Sequence, residues 1–201
     1  MPFQGNSFTN HPGVVDYGDK SYFFYHNGAL PGGGGFTRSV AVEELLYNAD
    51  GGIPQLSMTT EGPQQIQSVD PYVRNEAETM AASQGARAEM CSEGGINLGF
   101  IGNGDFVKVK GVDFRSGALS FSARVASATE GGLLELHLDS GDGPMIGVCA
   151  VSSSGGWQSW RTVSCPVSGA IGLHDIFLVF KGGQGYLFNI DWWQFQPTTR
   201  M

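Results

Sequence analysis

Residues 155–193 of the chain read GGWQSWRTVSCPVSGAIGLHDIFLVFKGGQGYLFNIDWW. Three runs rich in β-branched and aromatic residues, 158–165, 174–180 and 187–195, alternate with glycine-containing turns, as neighbouring antiparallel strands do. No helical period extends over the segment. The segment therefore predicts short strands joined by tight turns and indicates an all-β fold.

Similar runs recur upstream, so that about eight strands are predicted in the second part of the chain. They cover residues 75–79, 104–109, 118–125, 132–138, 146–151, 158–165, 174–180 and 187–195. Strands of this length and spacing favour a β-sandwich of the jelly-roll type.

The chain before residue 70 has a separate organisation. Short strand candidates at 13–17, 21–26 and 38–43 are separated by glycine, proline and asparagine turns. Their spacing is typical of a single four-stranded sheet or propeller blade, which is too small to bury a core alone. The polar stretch at 59–72 is interpreted as a linker.

Composition and charge exclude several classes of function. With 11 lysines and arginines and a net charge of −8 in 201 residues, the chain lacks the basic surface that nucleic-acid binding requires. No apolar run approaches the roughly 20 residues that a membrane helix needs. Because residues 1–6 also lack the basic and apolar regions of a signal peptide, we expect a truncated piece of a longer secreted protein.

Two of the three cysteines are placed where they could pair. Cys149 and Cys165 flank the strand-like runs at 145–151 and 157–166, and an antiparallel hairpin of those runs would bring them to bridging distance. A disulfide would imply an oxidising compartment. The alternative is that both, together with Cys91, are small buried thiols.

The C-terminal third also carries side chains suited to a sugar-binding cleft. Trp157 follows two glycines and is expected in or beside a loop, where its indole can stack on a pyranose; the alternative is a core indole. Asn189 offers an amide for paired hydrogen bonds to hydroxyl groups, or else it is a turn residue. Trp160, Trp192 and Trp193 are expected to pack mainly within the fold.

Six motifs occur in order along the second part of the chain. They are NEAE at 75–78, CSEGG at 91–95, GNGDFV at 102–107, FSARVA at 121–126, GGWQSW at 155–160 and NIDW at 189–192. Together they resemble the family 6 carbohydrate-binding modules, galactose-binding-like β-sandwiches attached to plant-cell-wall hydrolases. The resemblance covers 73–196 and leaves 197–201 as a tail.

The first part of the chain resembles a different family. The motifs NHPG at 10–13, YFFYH at 22–26 and PGGGGFTRSV at 31–40 resemble the last part of the five-bladed propeller of glycoside hydrolase family 43. This resemblance implies that residues 1–58 are a propeller remnant of an arabinofuranosidase or xylosidase type of enzyme.

The first resemblance implies which residues bind sugar. The rings of Phe100 and Trp157 would sandwich one sugar unit, and Asn189 would fix its hydroxyl groups. Position 100 is usually tyrosine in the family, so phenylalanine keeps the stacking face and loses the phenol hydrogen bond. Some related modules have a second surface on the concave sheet face, where Phe106 would serve unless it is a core residue.

Three carboxylates form a candidate calcium site. Glu76 and Glu78 are two apart on a predicted strand, so that both side chains would leave one face. If the first and last strands are neighbours, Asp191 comes close to them, and converging carboxylates favour an oxygen-liganded Ca²⁺. The family resemblance implies a structural calcium there, whereas the alternative is a set of solvated surface acids.

No complete catalytic site is expected. Glycoside hydrolysis needs two carboxyl groups across the scissile bond, and in family 43 these belong to earlier blades than the ones matched. Glu43 and Glu44 are interpreted as surface acids at a strand end. His11, His26 and Arg38 would lie near the central cavity in a complete enzyme of that family.

The leading hypothesis is a non-catalytic module that binds xylan, arabinoxylan or a related β-glycan and targets an attached family 43 hydrolase to it. We expect an extracellular monomer, tethered to the upstream catalytic domain. The alternatives are the tail of a hydrolase whose activity lies upstream, and a cell-surface adhesion or structural sandwich. The aromatic pair Phe100 and Trp157 favours sugar binding, since an adhesion domain has no need of it.

Overall fold

The computed structural model of the protein describes residues 11–29 and 32–198. The described residues form strands, turns and loops, and they include no helix that could span a membrane. The chain packs as two units, Met1–Ile66 and Gln67–Met201. The boundary between them falls inside the predicted linker at 59–72.

The first unit contains a three-stranded antiparallel sheet with the order β1-β2-β3. Its strands are β1 (Gly13–Tyr17), β2 (Lys20–Asn27) and β3 (Ser39–Leu45). Tyr22, Tyr25 and Leu45 supply its buried apolar side chains. The three predicted strands are present, whereas the relation of this sheet to a propeller stays a prediction.

The second unit is an antiparallel β-sandwich, as the strand pattern predicted. Its strands are β4 (Asn75–Glu76), β5 (Ala82–Gln84), β6 (Arg87–Met90), β7 (Ile96–Gly99), β8 (Phe106–Asp113), β9 (Ala118–Ala126), β10 (Gly132–Leu138), β11 (Met145–Val151), β12 (Arg161–Pro166), β13 (Leu173–Lys181) and β14 (Asn189–Pro197). One sheet has the order β11-β10-β13-β8-β5 and the other β12-β9-β14-β7-β6, with β4 pairing to β14. The eight predicted strands are all present, and β5, β6 and β7 are additional.

The core lies between the two sheets and follows from the alternation of side chains along each strand. In β9, Phe121, Ala123 and Val125 are buried while the serine and arginine between them face outward. Trp193 and Phe195 of the neighbouring β14 are also fully buried, and their rings contact Phe121. A large aromatic core of this kind makes a rigid base for the loops that carry the candidate site.

The structure joins Cys149 and Cys165 by a disulfide, with their Cα atoms 5.1 Å apart. The pairing is the predicted one, but the hairpin that suggested it is wrong. The strands of the two cysteines, β11 and β12, are edge strands of different sheets and are not hydrogen-bonded to each other. The bridge therefore ties the two layers of the sandwich together at one side.

Candidate functional site

An open cleft of about 330 Å³ lies at one end of the sheet that contains β14. Its lining side chains come from β6, from the start of β14 and from three loops. They are Glu89, Phe100, Trp157, Gln158, Tyr186 and Asn189. The volume lies within the usual range for small-ligand sites. All three residues predicted for the principal cleft are thus brought together, and Glu89, Gln158 and Tyr186 join them.

Three aromatic rings form the walls of the cleft. Phe100, Trp157 and Tyr186 are 40%, 36% and 53% exposed. The ring centroids of Phe100 and Tyr186 are 5.6 Å apart and the two rings are nearly perpendicular. Trp157 lies in a turn several residues before β12 begins, so it belongs to a loop rather than to a strand start. Exposed, fixed rings of this kind offer flat apolar faces to a ligand.

Phe100 is held in an unusual backbone conformation. Its φ angle is +59°, in the left-handed region that residues other than glycine seldom adopt. Its neighbours, Gly99 and Ile101, are both buried, and the Ile101 carbonyl accepts a hydrogen bond from Leu187 N–H. The buried neighbours hold the turn, and the phenylalanine ring is thereby directed outward to the cleft. Such strained residues cluster at functional sites.

Glu89 forms the polar floor of the cleft. Its Oε1 accepts hydrogen bonds from the side-chain amides of Asn97 at 3.2 Å, Gln158 at 3.3 Å and Asn189 at 2.7 Å. No hydrogen bond from the described residues reaches its other oxygen, Oε2. A Cβ on Gly99 would lie only 2.8 Å from Glu89 Oε1, so glycine is needed for this close approach. The floor therefore presents one carboxylate oxygen that can accept a ligand hydroxyl.

Asn189 is held more tightly than its predicted role required. The side chain is 3% exposed, and its Nδ2 donates both to Glu89 Oε1 and to the carbonyl of Trp157. Both amide protons are thus used within the protein. The paired hydrogen bonds expected of this amide are therefore not both available, and Oδ1 is its remaining polar atom.

Gln158 connects the floor to the neighbouring loops. Its Oε1 accepts hydrogen bonds from Ser92 N–H at 2.8 Å and from the indole N–H of Trp160 at 3.2 Å. Its Nε2 donates to Glu89 and to Asn97 Oδ1. Because both ends of this amide have protein partners, Gln158 positions the site rather than offering polar atoms to a ligand.

The other tryptophans lie away from the cleft lining. Trp193 is fully buried in the core, and Trp160 is half-buried against Ser92. Trp192 is half-buried, with the Arg74 guanidinium 5.5 Å from its ring centroid. These environments agree with the packing roles predicted for all three.

Phe106 is not part of the cleft. It begins β8 in the opposite sheet, is half-buried, and has its ring centroid 5.7 Å from that of Phe177. A second ligand surface around Phe106 stays a prediction.

The three carboxylates predicted to bind calcium lie near one another, but not in the way the sequence suggested. β4 ends at Glu76, and Glu78 lies in the following turn, so the argument from alternation along a strand was wrong. The expectation that the first and last strands are neighbours is confirmed, because Glu76 is paired in register with Trp192. The Ala77 N–H also donates to the carbonyl of Asp191.

Two oxygens of this cluster are buried without a hydrogen-bond partner, Glu78 Oε2 and Asp191 Oδ1. Burial raises the pKa of the Glu78 carboxyl, and the charges of Glu76 and Asp191 raise it further. The pKa of the Asp191 carboxyl is also raised, because the effect of burial outweighs the opposing charge of Arg74. Unpartnered oxygens in an acidic environment fit a bound cation.

A calcium site at this cluster stays a prediction. The described residues contain no group of three or more acidic, histidine or cysteine side chains close enough to hold an ion. Arg74 contacts two of the three carboxylates, with salt bridges of 2.9 Å to Glu76 and 3.4 Å to Asp191. The buried, unpartnered oxygens of Glu78 and Asp191 fit Ca²⁺, and Glu76 and backbone carbonyls would have to complete the coordination.

In the first unit, Glu43 differs from expectation. It is 7% exposed rather than a surface acid. Its carboxylate accepts hydrogen bonds from the Tyr25 hydroxyl and from the backbone N–H and hydroxyl of Thr59. Burial, together with the bond to Glu43, raises the pKa of Tyr25 to about 12. Glu44 is partly exposed and forms a salt bridge with Lys20, so only Glu44 fits the prediction.

The predicted cavity residues of the first unit lie close together. The His11 and His26 rings are 5.5 Å apart. Arg38 Nη1 lies 3.2 Å from His26 Nε2. A role for them in a complete propeller stays a prediction.

Comparisons with known proteins identify the family of the second unit. The family model described as carbohydrate binding module (family 6) matches residues 76–197. A crystal structure of such a module from Clostridium cellulolyticum, in complex with xylose, is 48% identical; the match covers 64% of this chain and 99% of the module, with a TM-score of 0.63.

Longer proteins match both units. An arabinoxylan arabinofuranohydrolase from Paenibacillus polymyxa is 38% identical over 98% of this chain, and the match covers 33% of that protein. The structure of a glycoside hydrolase family 43 arabinoxylan arabinofuranohydrolase from Bacillus subtilis, in complex with cellotetraose, is 40% identical with a TM-score of 0.88. That match covers 97% of this chain and 42% of the hydrolase. The chain thus spans about a third of the length of the curated relatives it matches.

Proposed function

The chain belongs to the carbohydrate-binding modules of family 6 through residues 76–197, and on that premise we propose that it binds xylan or arabinoxylan without cleaving it. The observation that carries the proposal is the cleft, in which aromatic walls surround a polar floor. The faces of Phe100 and Trp157 suit the C–H face of a pyranose. Glu89 Oε2 and Asn189 Oδ1 suit its hydroxyl groups, which act as donors.

The composition of the cleft supports binding rather than hydrolysis. Glu89 is the one carboxylate among its lining residues. Glycoside hydrolysis uses two carboxyl groups at a set separation across the scissile bond. A single carboxylate held by three amides is suited to accepting hydrogen bonds from a ligand.

We further propose that the module targets an attached family 43 hydrolase to plant cell-wall polysaccharide. Tethering raises the local concentration of substrate around a catalytic domain without any new contact in the active site. The similarity to arabinoxylan arabinofuranohydrolases over both units supports such a parent protein. The disulfide supports an extracellular location, because such bonds persist in oxidising compartments. The proposal also includes a structural Ca²⁺ held by Glu76, Glu78 and Asp191, and a monomeric state.

Calorimetry of the whole 201-residue chain with xylotetraose and with maltotetraose tests the proposed ligand class. We expect saturable binding of the xylo-oligosaccharide and much weaker binding of the α-glucan. The same preparation should release no product from aryl arabinofuranosides or xylosides. Equal or absent binding of both ligands would contradict the xylan assignment, and turnover by purified protein would contradict the non-catalytic assignment.

A further inference from the structure

Arg87 is an exposed arginine on β6, beside the aromatic wall of the cleft. It is paired in register with Gly99, the residue before Phe100. Its guanidinium carbon lies 5.8 Å from the centroid of the Phe100 ring. Arg87 is not among the residues that line the cleft, so its charge stands at the rim.

The environment of Arg87 differs from that of the other cations over aromatic rings. Of the four such cations in the described parts of the chain, three also form a salt bridge. Arg74 pairs with Glu76, Lys108 with Asp175 and Arg115 with Asp70. Arg87 forms no salt bridge with a described residue. In a chain with a net charge of −8, an arginine without a carboxylate partner is left with its donors available.

Arg87 and the floor of the cleft face the same way. Arg87 and Glu89 are two residues apart on β6, so their side chains leave the same face, about 7 Å apart along the strand. Three side-chain amides already stabilise the Glu89 carboxylate. One ligand could therefore place a neutral sugar over Glu89 and an acidic group at Arg87.

We propose that Arg87 binds the carboxylate of a uronic acid unit carried next to the sugar that occupies the cleft. A planar guanidinium matches a carboxylate by two parallel hydrogen bonds, which gives geometric selectivity as well as attraction. The inference rests on the proposed function, because it requires a neutral sugar unit in the cleft. It makes the preferred ligand an acid-substituted xylan rather than an unsubstituted one.

The test compares two ligands of equal backbone length, a linear xylo-oligosaccharide and the same oligosaccharide with one glucuronosyl branch. Calorimetry at low salt should give the acidic ligand an affinity about three- to fivefold higher, the size expected of an exposed ion pair. The ratio should fall toward one in 0.5 M NaCl, because salt screens exposed charges. The affinity ratio should also fall toward one in Arg87→Gln, which removes the charge. It should be partly kept in Arg87→Lys, which retains the charge but not the planar guanidinium.

Arg115→Gln is the matched control. Arg115 also lies over an aromatic ring, at 5.6 Å from the centroid of Tyr72. Tyr72 lies near the end of β14 that is opposite the cleft, because the N–H of Phe195 in β14 donates to the carbonyl of Pro71, the residue before Tyr72. This variant loses the same charge away from the cleft, so the affinity ratio should remain that of the wild type.

The outcomes separate the two proposals. Binding of both ligands with a ratio of one, or a raised ratio that survives in Arg87→Gln, overturns the role of Arg87 and leaves xylan binding intact. Failure of both ligands to bind the wild-type chain overturns xylan binding, and the role of Arg87 with it.

Discussion

Asn189 Nδ2 donates a 2.8 Å hydrogen bond to the backbone carbonyl of Trp157. A residue at the start of a strand in the core thereby fixes the loop that carries the exposed indole. The same nitrogen donates to Glu89 at 2.7 Å, so one amide sets the distance between the floor and a wall of the cleft. The site is therefore preorganised, and a ligand loses little of its binding energy to ordering it.

The first prediction concerns the indole. Trp157→Ala should lower the affinity for soluble xylan about five- to tenfold, because it removes a stacking face worth about 1–1.4 kcal/mol. The melting temperature should change little, since the ring lies in an exposed loop. Affinity electrophoresis on soluble xylans measures the effect, and a thermal melt checks the fold.

Phe106→Ala is the companion variant for this experiment. It removes a ring from the opposite sheet, outside the cleft. Soluble xylan in the gel should therefore slow the migration of this variant as much as that of the wild type. Unchanged retardation of Trp157→Ala together with loss of retardation in Phe106→Ala would place the main binding surface on the opposite sheet.

The second prediction concerns the floor carboxylate. Glu89→Gln keeps an oxygen that can accept the three amide hydrogen bonds, but it replaces Oε2 by a donor. The affinity for xylo-oligosaccharides should fall at least about tenfold, since a hydrogen bond to a charged group is worth about 1.5–3 kcal/mol. Calorimetry measures this loss, and Glu135→Gln, on a strand outside the cleft, serves as the control. An affinity equal to that of the wild type would remove Glu89 from the list of ligand contacts.

The third prediction concerns the disulfide. Replacing Cys149 and Cys165 together by serine should lower the free energy of unfolding by about 3 kcal/mol, the value for a loop of this length. The separation of 16 residues sets that length. Urea denaturation of the oxidised protein and of the double variant gives the difference. Equal stabilities would show that the bridge adds nothing to the contact between the two sheets.

The fourth prediction concerns calcium. Chelation should lower the melting temperature, because an ion bound only by the native state stabilises it by about 2.7 kcal/mol at a hundredfold excess over the dissociation constant. Glu78→Gln should reduce the dependence on calcium, since an amide is a neutral and weaker ligand. The experiment is a thermal melt with and without chelator on both proteins.

Glu135→Gln is again the suitable control, as a carboxylate outside the cluster, and it should keep the full effect of calcium. If chelation leaves the melting temperature of the wild type unchanged and calorimetry detects no tight calcium binding, then Glu78 and Asp191 are structural acids without an ion.

The sequence allowed prediction of those strands whose side chains alternate or form apolar runs. β9, β10 and β13 are of this kind, and each has several fully buried positions. β5 is exposed along its whole length and β6 along most of it. Such strands show no periodic pattern of hydrophobic residues in the sequence. They are held in place by backbone hydrogen bonds to a neighbouring strand and not by burial of their side chains.

The same limit explains what was missed in the site. Glu89 lies on β6, so no strand was predicted to carry it to the cleft. Trp157 and Asn189 were predicted because the family resemblance implies them and because the two glycines before Trp157 indicate a loop. The contact between them depends on packing of the loop before β12 against the start of β14, which no local pattern encodes.

The bridge between Cys149 and Cys165 also makes a covalent ring of the segment between them, and Trp157 belongs to that ring. A protease that cuts any peptide bond from 150 to 164 opens the ring but releases no fragment. The nicked protein would keep its full mass, apart from one added water, until it is reduced. Cleavage in this loop therefore need not detach the indole from the module, whereas a cut outside the ring separates the chain in two.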